Sequence, residues 1–153
     1  MKTFVTVWIE IGGTLSAEEL SEVRRLALLD NERSLEFLPG DHPETSVLSY
    51  IDCGSKSGSY GRLRAYLEQR GIPYDEVRKT LEEDACSLTR YRPGKGAHEF
   101  AADPQSLVPV VRGEAILRAL RECLSYETLQ SELRRLVGLD IPALSPLEGV
   151  YTA

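Results

Sequence analysis

From residue 3 to residue 11 apolar and polar positions alternate. Val5, Val7, Ile9 and Ile11 fall on one side, and Phe4, Thr6, Trp8 and Glu10 on the other. A period of two sends successive side chains to opposite faces of a sheet, so the pattern predicts a half-buried strand whose second face is not fully polar. Gly12-Gly13 ends it. Ser16 and Glu19 then stand at capping-box spacing. Leu20, Val23, Leu26 and Ala27 recur at helical intervals behind them, predicting a helix that Asp30-Asn31-Glu32 closes. A short strand is expected over 35–38, followed by an exposed turn at Pro39-Gly40-Asp41-His42-Pro43.

The next thirty residues carry the strongest punctuation in the chain. Val47, Tyr50 and Ile51 lie in an apolar run that predicts a strand over 47–53, and Gly54, Ser55, Ser57, Gly58, Ser59 and Gly61 break it into a loop. Leu63, Tyr66 and Leu67 then form one helical stripe. Gly71 is the left-handed residue after the helix, and Ile72 can fold back on Leu67, the hydrophobic contact of a Schellman end. Pro73 prevents the helix from resuming.

Residues 74–80 read two ways. Tyr74, Val77 and Leu81 have helical spacing, while Ile72, Tyr74, Glu76 and Arg78 can share one face of a strand. Glu82-Glu83-Asp84 is a turn. Leu88 to Arg92 and Ala97 to Ala101 flank Pro93-Gly94-Lys95-Gly96, a hairpin signal. The apolar run from Leu107 to Val111 contains Pro109, so if it is a strand it is an edge. Ile116, Leu117, Leu120 and Leu124 stripe one further helix; Leu129, Leu133, Leu136 and Val137 stripe another, which Gly138 stops. Strands and helices are partly segregated and the hairpin is antiparallel. The expected fold is therefore α+β: a single-domain two-layer sandwich over 1–138, with a mostly antiparallel sheet and about four helices. The tail 139–153, with Pro142 and Pro146, is expected to lie extended over the surface.

Length and composition narrow the function. A chain of 153 residues with 42% hydrophobic and 27% charged residues suits one ordinary globular domain. Its net charge of −6 argues against general binding to nucleic acid or to an anionic membrane, which requires a basic face. The first fifty residues carry nine acidic against four basic side chains. Cys53, Cys86 and Cys123 are widely spaced and odd in number, which indicates neither a disulfide framework nor a zinc site but reduced thiols in a cytoplasmic protein. No metal site and no cofactor is expected. The apolar N-terminal stretch is too short and too interrupted for a signal peptide, and no segment approaches membrane-spanning length.

Two constellations bear on function. The Gly54–Gly61 loop joins a strand to a helix N-terminus, where backbone N–H groups and the helix dipole suit an anion. Asp52, Lys56, Ser57, Ser59 and Arg62 would line such a site. The spacing matches neither a Walker loop nor a dinucleotide fingerprint, and the plainer reading is a connection whose serines cap the next helix. The second constellation is acidic. Glu18, Glu19, Glu22, Asp30, Glu32 and Glu36, with Asp41 and Glu44 beyond, would make one negative face able to imitate a phosphate backbone. For acid–base or nucleophilic chemistry the candidates are His42, His98, Asp52, Cys53 and Asp75, with no recognisable motif joining them. Arg90, Arg92 and Lys95 make the hairpin basic around Tyr91. A thin nucleic-acid contact is one account of it, and a solvated edge protected by charge is the other.

Tyr60-Gly61, Leu63, Leu67, Gly71-Ile72-Pro73-Tyr74-Asp75 and Tyr91-Arg92-Pro93-Gly94 resemble a group of small uncharacterised proteins carried on bacterial plasmids and prophages. The resemblance spans the middle third and rests on structural punctuation, so it implies a mobile-element setting and no activity. Lys56 and several serines stand before Tyr60 where that group has an acidic lead-in. The function expected is a non-catalytic accessory protein that binds a protein partner, such as nucleic-acid-handling machinery, through the acidic face. It would act as an anti-defence, anti-CRISPR-like inhibitor. The alternative is a small enzyme or anion-binding domain built on the loop.

Overall fold

The structure is a computed structural model that describes residues 5–41, 46–80 and 85–149. The expected features at Phe4, His42-Pro43, Glu44 and Glu82-Glu83-Asp84 lie outside the described residues. In chain order the elements are β1 (Val5–Ile11), β2 (Gly13–Leu15), α1 (Ala17–Asp30), β3 (Leu35–Phe37), β4 (Leu48–Ser55) and α2 (Gly61–Arg70). They continue with β5 (Tyr74–Thr80), β6 (Ala85–Arg92), β7 (Gly96–Ala102), α3 (Gly113–Glu122), α4 (Tyr126–Val137) and β8 (Leu147–Gly149). Six strands form one sheet in the order β3-β4-β1-β5-β6-β7, every pair antiparallel. The fold is α+β, as the segregated elements and the hairpin predicted.

Strand alternation gives the sheet two unlike faces. On the first, Val7, Ile9 and Ile11 of β1 join Leu48, Tyr50 and Tyr74 under the predicted stripes of α1 and α2 in one buried cluster. The capping box at Ser16 and Glu19 and the Schellman end at Gly71, with φ of 68°, both form as expected. Residues 74–80 are a strand, and Tyr74 and Glu76 share its buried face.

On the second face one register row crosses the whole sheet: Leu35, Ile51, Trp8, Val77, Leu88 and Phe100 stand opposite one another on successive strands. Apolar cross-strand neighbours of this kind are a main source of sheet stability. The row is buried at Val77 and Leu88, where Leu107 packs over it, and opens toward Leu35, which is exposed.

Three features mark the C-terminal third. Residues 107–111 form no strand; Leu107 has φ of 59° and only Pro109 bridges to Ala102, because proline lacks the N–H a ladder needs. The described part of the tail is tied into the body. β8 pairs in parallel with β2, Leu147 is buried in the main core, and a Cβ added at Gly12 would lie 2.0 Å from the Ser145 carbonyl oxygen. The third feature concerns the helical stripes. Ala119 is the only buried residue of α3 and α4 has none, although both apolar faces are plain in the sequence.

Candidate interaction surface

The loop before α2 is built from a dense internal network. Asn31, buried after the last turn of α1, donates to the Ser59 carbonyl and accepts from the Ser55 and Ser57 hydroxyls. Ser55 in turn accepts from the Gly58 N–H at 2.8 Å. The α2 N-terminus, which the sequence offered to an anion or to a serine cap, receives carboxylates of this same chain. Asp30 accepts from the N–H groups of Arg62 and Leu63 at 3.3 and 2.9 Å, and Glu76 accepts from the Tyr60 N–H at 2.9 Å. No loop serine caps α2. The dipole and the free N–H groups recruit acids from α1 and β5 instead.

Glu76 is fully buried, and Arg64 donates to it at 3.1 Å. Burial drives its carboxyl above the usual carboxylate value, against the pull of the Tyr60 N–H and of Arg64. Arg64 also donates to the Tyr74 hydroxyl, which donates to Glu68 at 2.6 Å. Burial, the first cause, and the bond to Glu68 raise the Tyr74 phenol well above its usual value.

Of the anticipated loop site, Asp52, Lys56 and Ser57 border one cavity. Asp52 turns inward and accepts from the Gly54 N–H at 2.8 Å, while Cys53, next along the strand, is exposed on the opposite face. A shallow cavity of about 210 Å³ opens beside Lys56 and Ser57, but Asp30, Glu32 and Asp52 also line it. These acids oppose the binding of an anion. The candidate acid–base groups are dispersed: His98 bonds the Lys95 carbonyl on the hairpin and Asp75 pairs with Arg92. Among the described residues no group of three or more His, Cys, Asp or Glu side chains is placed to hold a metal ion.

The acidic residues separate into groups. Glu18, Glu19 and Glu22 share a depression with Tyr66 and Arg70. Glu19 also closes the capping box, and Glu22 is paired with Arg25, whose hydrogen bond holds its carboxyl low. Asp30 and Glu32 lie at the other end of α1, about 18 Å away at 1.5 Å per residue. Asp30 is engaged by α2. Burial would raise the Glu36 carboxyl, but Arg24 and the Tyr50 hydroxyl bond it and hold it low. One continuous negative face through all six residues is therefore not formed.

The basic hairpin is also partly consumed. Arg92, expected at the surface, is buried: it donates to the Pro142 and Tyr74 carbonyls and pairs with Asp75 at 2.8 Å. Lys95 donates to the Asp140 carbonyl. Both hold the tail to the sheet.

What remains without an internal role is the apolar surface of the C-terminal helices. Ile116, Leu117, Leu120 and Leu124 are 38%, 53%, 54% and 100% exposed, and Val108, Val110, Tyr126 and Leu139 are exposed nearby in sequence. The helices themselves are well specified. Ser125 caps α4, and Gly138, with φ of 72°, ends it where an added Cβ would lie 2.6 Å from the Phe100 ring. Periodicity reports that a face is apolar and leaves open what covers it. Comparison with family models, curated proteins and solved structures gives no match. Among the described residues no helix is long and apolar enough to cross a membrane.

Proposed function

We propose that this chain is a non-catalytic protein-binding protein that engages its partner through the exposed apolar face of α3. The observation that carries this reading is that α3 is strongly amphipathic while its leucine face is turned to solvent. Large apolar patches on a folded surface mark contact sites, because leaving them in water forfeits about 25 cal/mol per Å² of apolar area that contact would recover. The consumption of Asp30, Glu76 and the loop N–H groups within the chain favours this over an anion-binding loop. The pairing of Glu22 and Glu36 with arginines favours it over the acidic face. The resemblance to plasmid and prophage proteins suggests a partner within host or defence machinery.

The test is a capture experiment with immobilised full-length chain and lysate of a bacterial host. Leu117→Glu/Leu120→Glu should abolish capture of a protein that wild type and Glu18→Lys/Glu22→Lys both retain. Loss only with the Glu18/Glu22 variant would return the function to the acidic face. Retention by both variants would remove α3 from the function.

A further inference from the structure

We propose that the occupant of the α3 face is a second copy of this chain, its α3 packed antiparallel against the first about a two-fold axis near Leu117 and Leu120. This deepens the reading of α3 as a contact face and rests on it. The choice of a second copy comes from the pattern of charge beside the leucines. At 100° per residue, Ile116, Leu117 and Leu120 span one exposed face of α3, while Ala115 and Ala119 lie along one flank of it and are covered to differing degrees. The other flank carries Glu114 and Arg121, two turns apart and of opposite sign. Neither makes an ion pair among the described residues.

Symmetry turns this spacing into complementarity. A two-fold axis that reverses one helix against its copy keeps like flanks on the same side and exchanges their ends. Glu114 of each protomer then meets Arg121 of the other, twice per dimer, and the leucine faces meet between them. A parallel pairing would send the charged flanks to opposite sides and leave both charges alone. Self-complementarity of this kind is the defining property of an isologous interface. Each α3 keeps its contact with its own α4, so the pairing would join two α3–α4 pairs into a four-helix arrangement, the usual way for short amphipathic helices to complete a core.

The mass of the full-length chain in solution, by sedimentation or light scattering over a concentration series, reads this directly. Wild type should be a dimer. Leu117→Glu/Leu120→Glu should be a monomer with an unchanged circular dichroism spectrum, its dissociation constant raised by more than about a hundredfold, since each changed side chain counts twice. Glu114→Arg and Arg121→Glu should each weaken the dimer by about tenfold, the two-fold axis doubling a modest surface pair. Glu114→Arg/Arg121→Glu should restore it, because reversing both charges recreates the pair across the axis. A wild type that is monomeric throughout overturns the proposal, as does a dimer indifferent to the leucine changes or not rescued by the double reversal. Wild type that is monomeric, yet loses captured protein with Leu117→Glu/Leu120→Glu, would overturn self-pairing alone and leave the protein-binding reading standing.

Discussion

The two helix pairs of this molecule use their apolar residues in opposite ways. α1 and α2 are modestly amphipathic, yet they bury Leu20, Val23, Leu26, Leu63 and Leu67 against the sheet. Asp30 of α1 also caps α2, and only Leu28 and Leu29 are exposed large apolar residues near the end of α1. α3 and α4 are strongly amphipathic; α3 leaves its leucine face in water, and the leucines of α4 are only partly buried. The lesson is that helix strength and helix burial are separate properties. Periodicity shapes both α3 and α4 and a capping box fixes α4, yet the leucines of α3 stay exposed in the single chain.

The largest effect that could break this contrast is a leucine truncation made in each pair. Leu67→Ala should destabilise the fold by ~2–5 kcal/mol, the usual range for a fully buried leucine. Leu120→Ala should fall within ~0.5 kcal/mol in urea melts, provided the chain is dilute enough to be monomeric. Equal costs at the two positions would mean that α3 is packed within the monomer, and the contrast would vanish.

A smaller effect separates the caps. Asp30→Ala should cost ~0.5–2 kcal/mol in the global melt, because the α2 N–H groups lose their acceptor inside the cooperative core. Ser125→Ala removes the corresponding cap of α4. Since α4 buries no residue, the loss should appear mainly as faster amide exchange within α4, with little movement of the global transition. If both caps shift the global melt alike, α4 unfolds together with the core.

How much of this was legible in the sequence follows the range of the interaction. The α1 box at Ser16 and Glu19, the stop at Gly71 and the turn at Gly94-Lys95 are set by neighbours within a few residues, and each was readable. Asp30 capping a helix that begins more than thirty residues later was not, because an acid at a helix C-terminus looks like a surface charge. Arg92 reads as a surface cation until Pro142 and Asp75 are placed beside it. The apolar row from Leu35 to Phe100 exists only once the strand order is known. The candidate surface was half legible: the α3 stripe was identified in the sequence, and its exposure shows only in the fold.

The smallest expected effect sharpens the contrast on the sheet itself. Glu10 lies on the face away from α1 and α2, opposite Asp75 on β5. Burial first, and the Asp75 charge second, raise its carboxyl above the usual carboxylate value. A carboxyl with a raised folded-state pKa holds its proton more tightly in the folded chain than in the unfolded one. Its contribution to stability is therefore lost as pH rises from the usual value through the raised one, and above that window the ionised Glu10 opposes folding. Glu10→Gln should raise the melting temperature near neutral pH and have progressively less effect as the buffer is taken below about pH 4. Glu76 is raised in the same direction, but its bonds to Tyr60 and Arg64 would be disturbed by substitution, so Glu10 is the cleaner probe. Thermal melts of wild type and Glu10→Gln across this range decide the matter. A gain that is absent at neutral pH, or that grows on acidification, would mean that water reaches Glu10 freely. The second face would then be open at its centre as well as at Leu35.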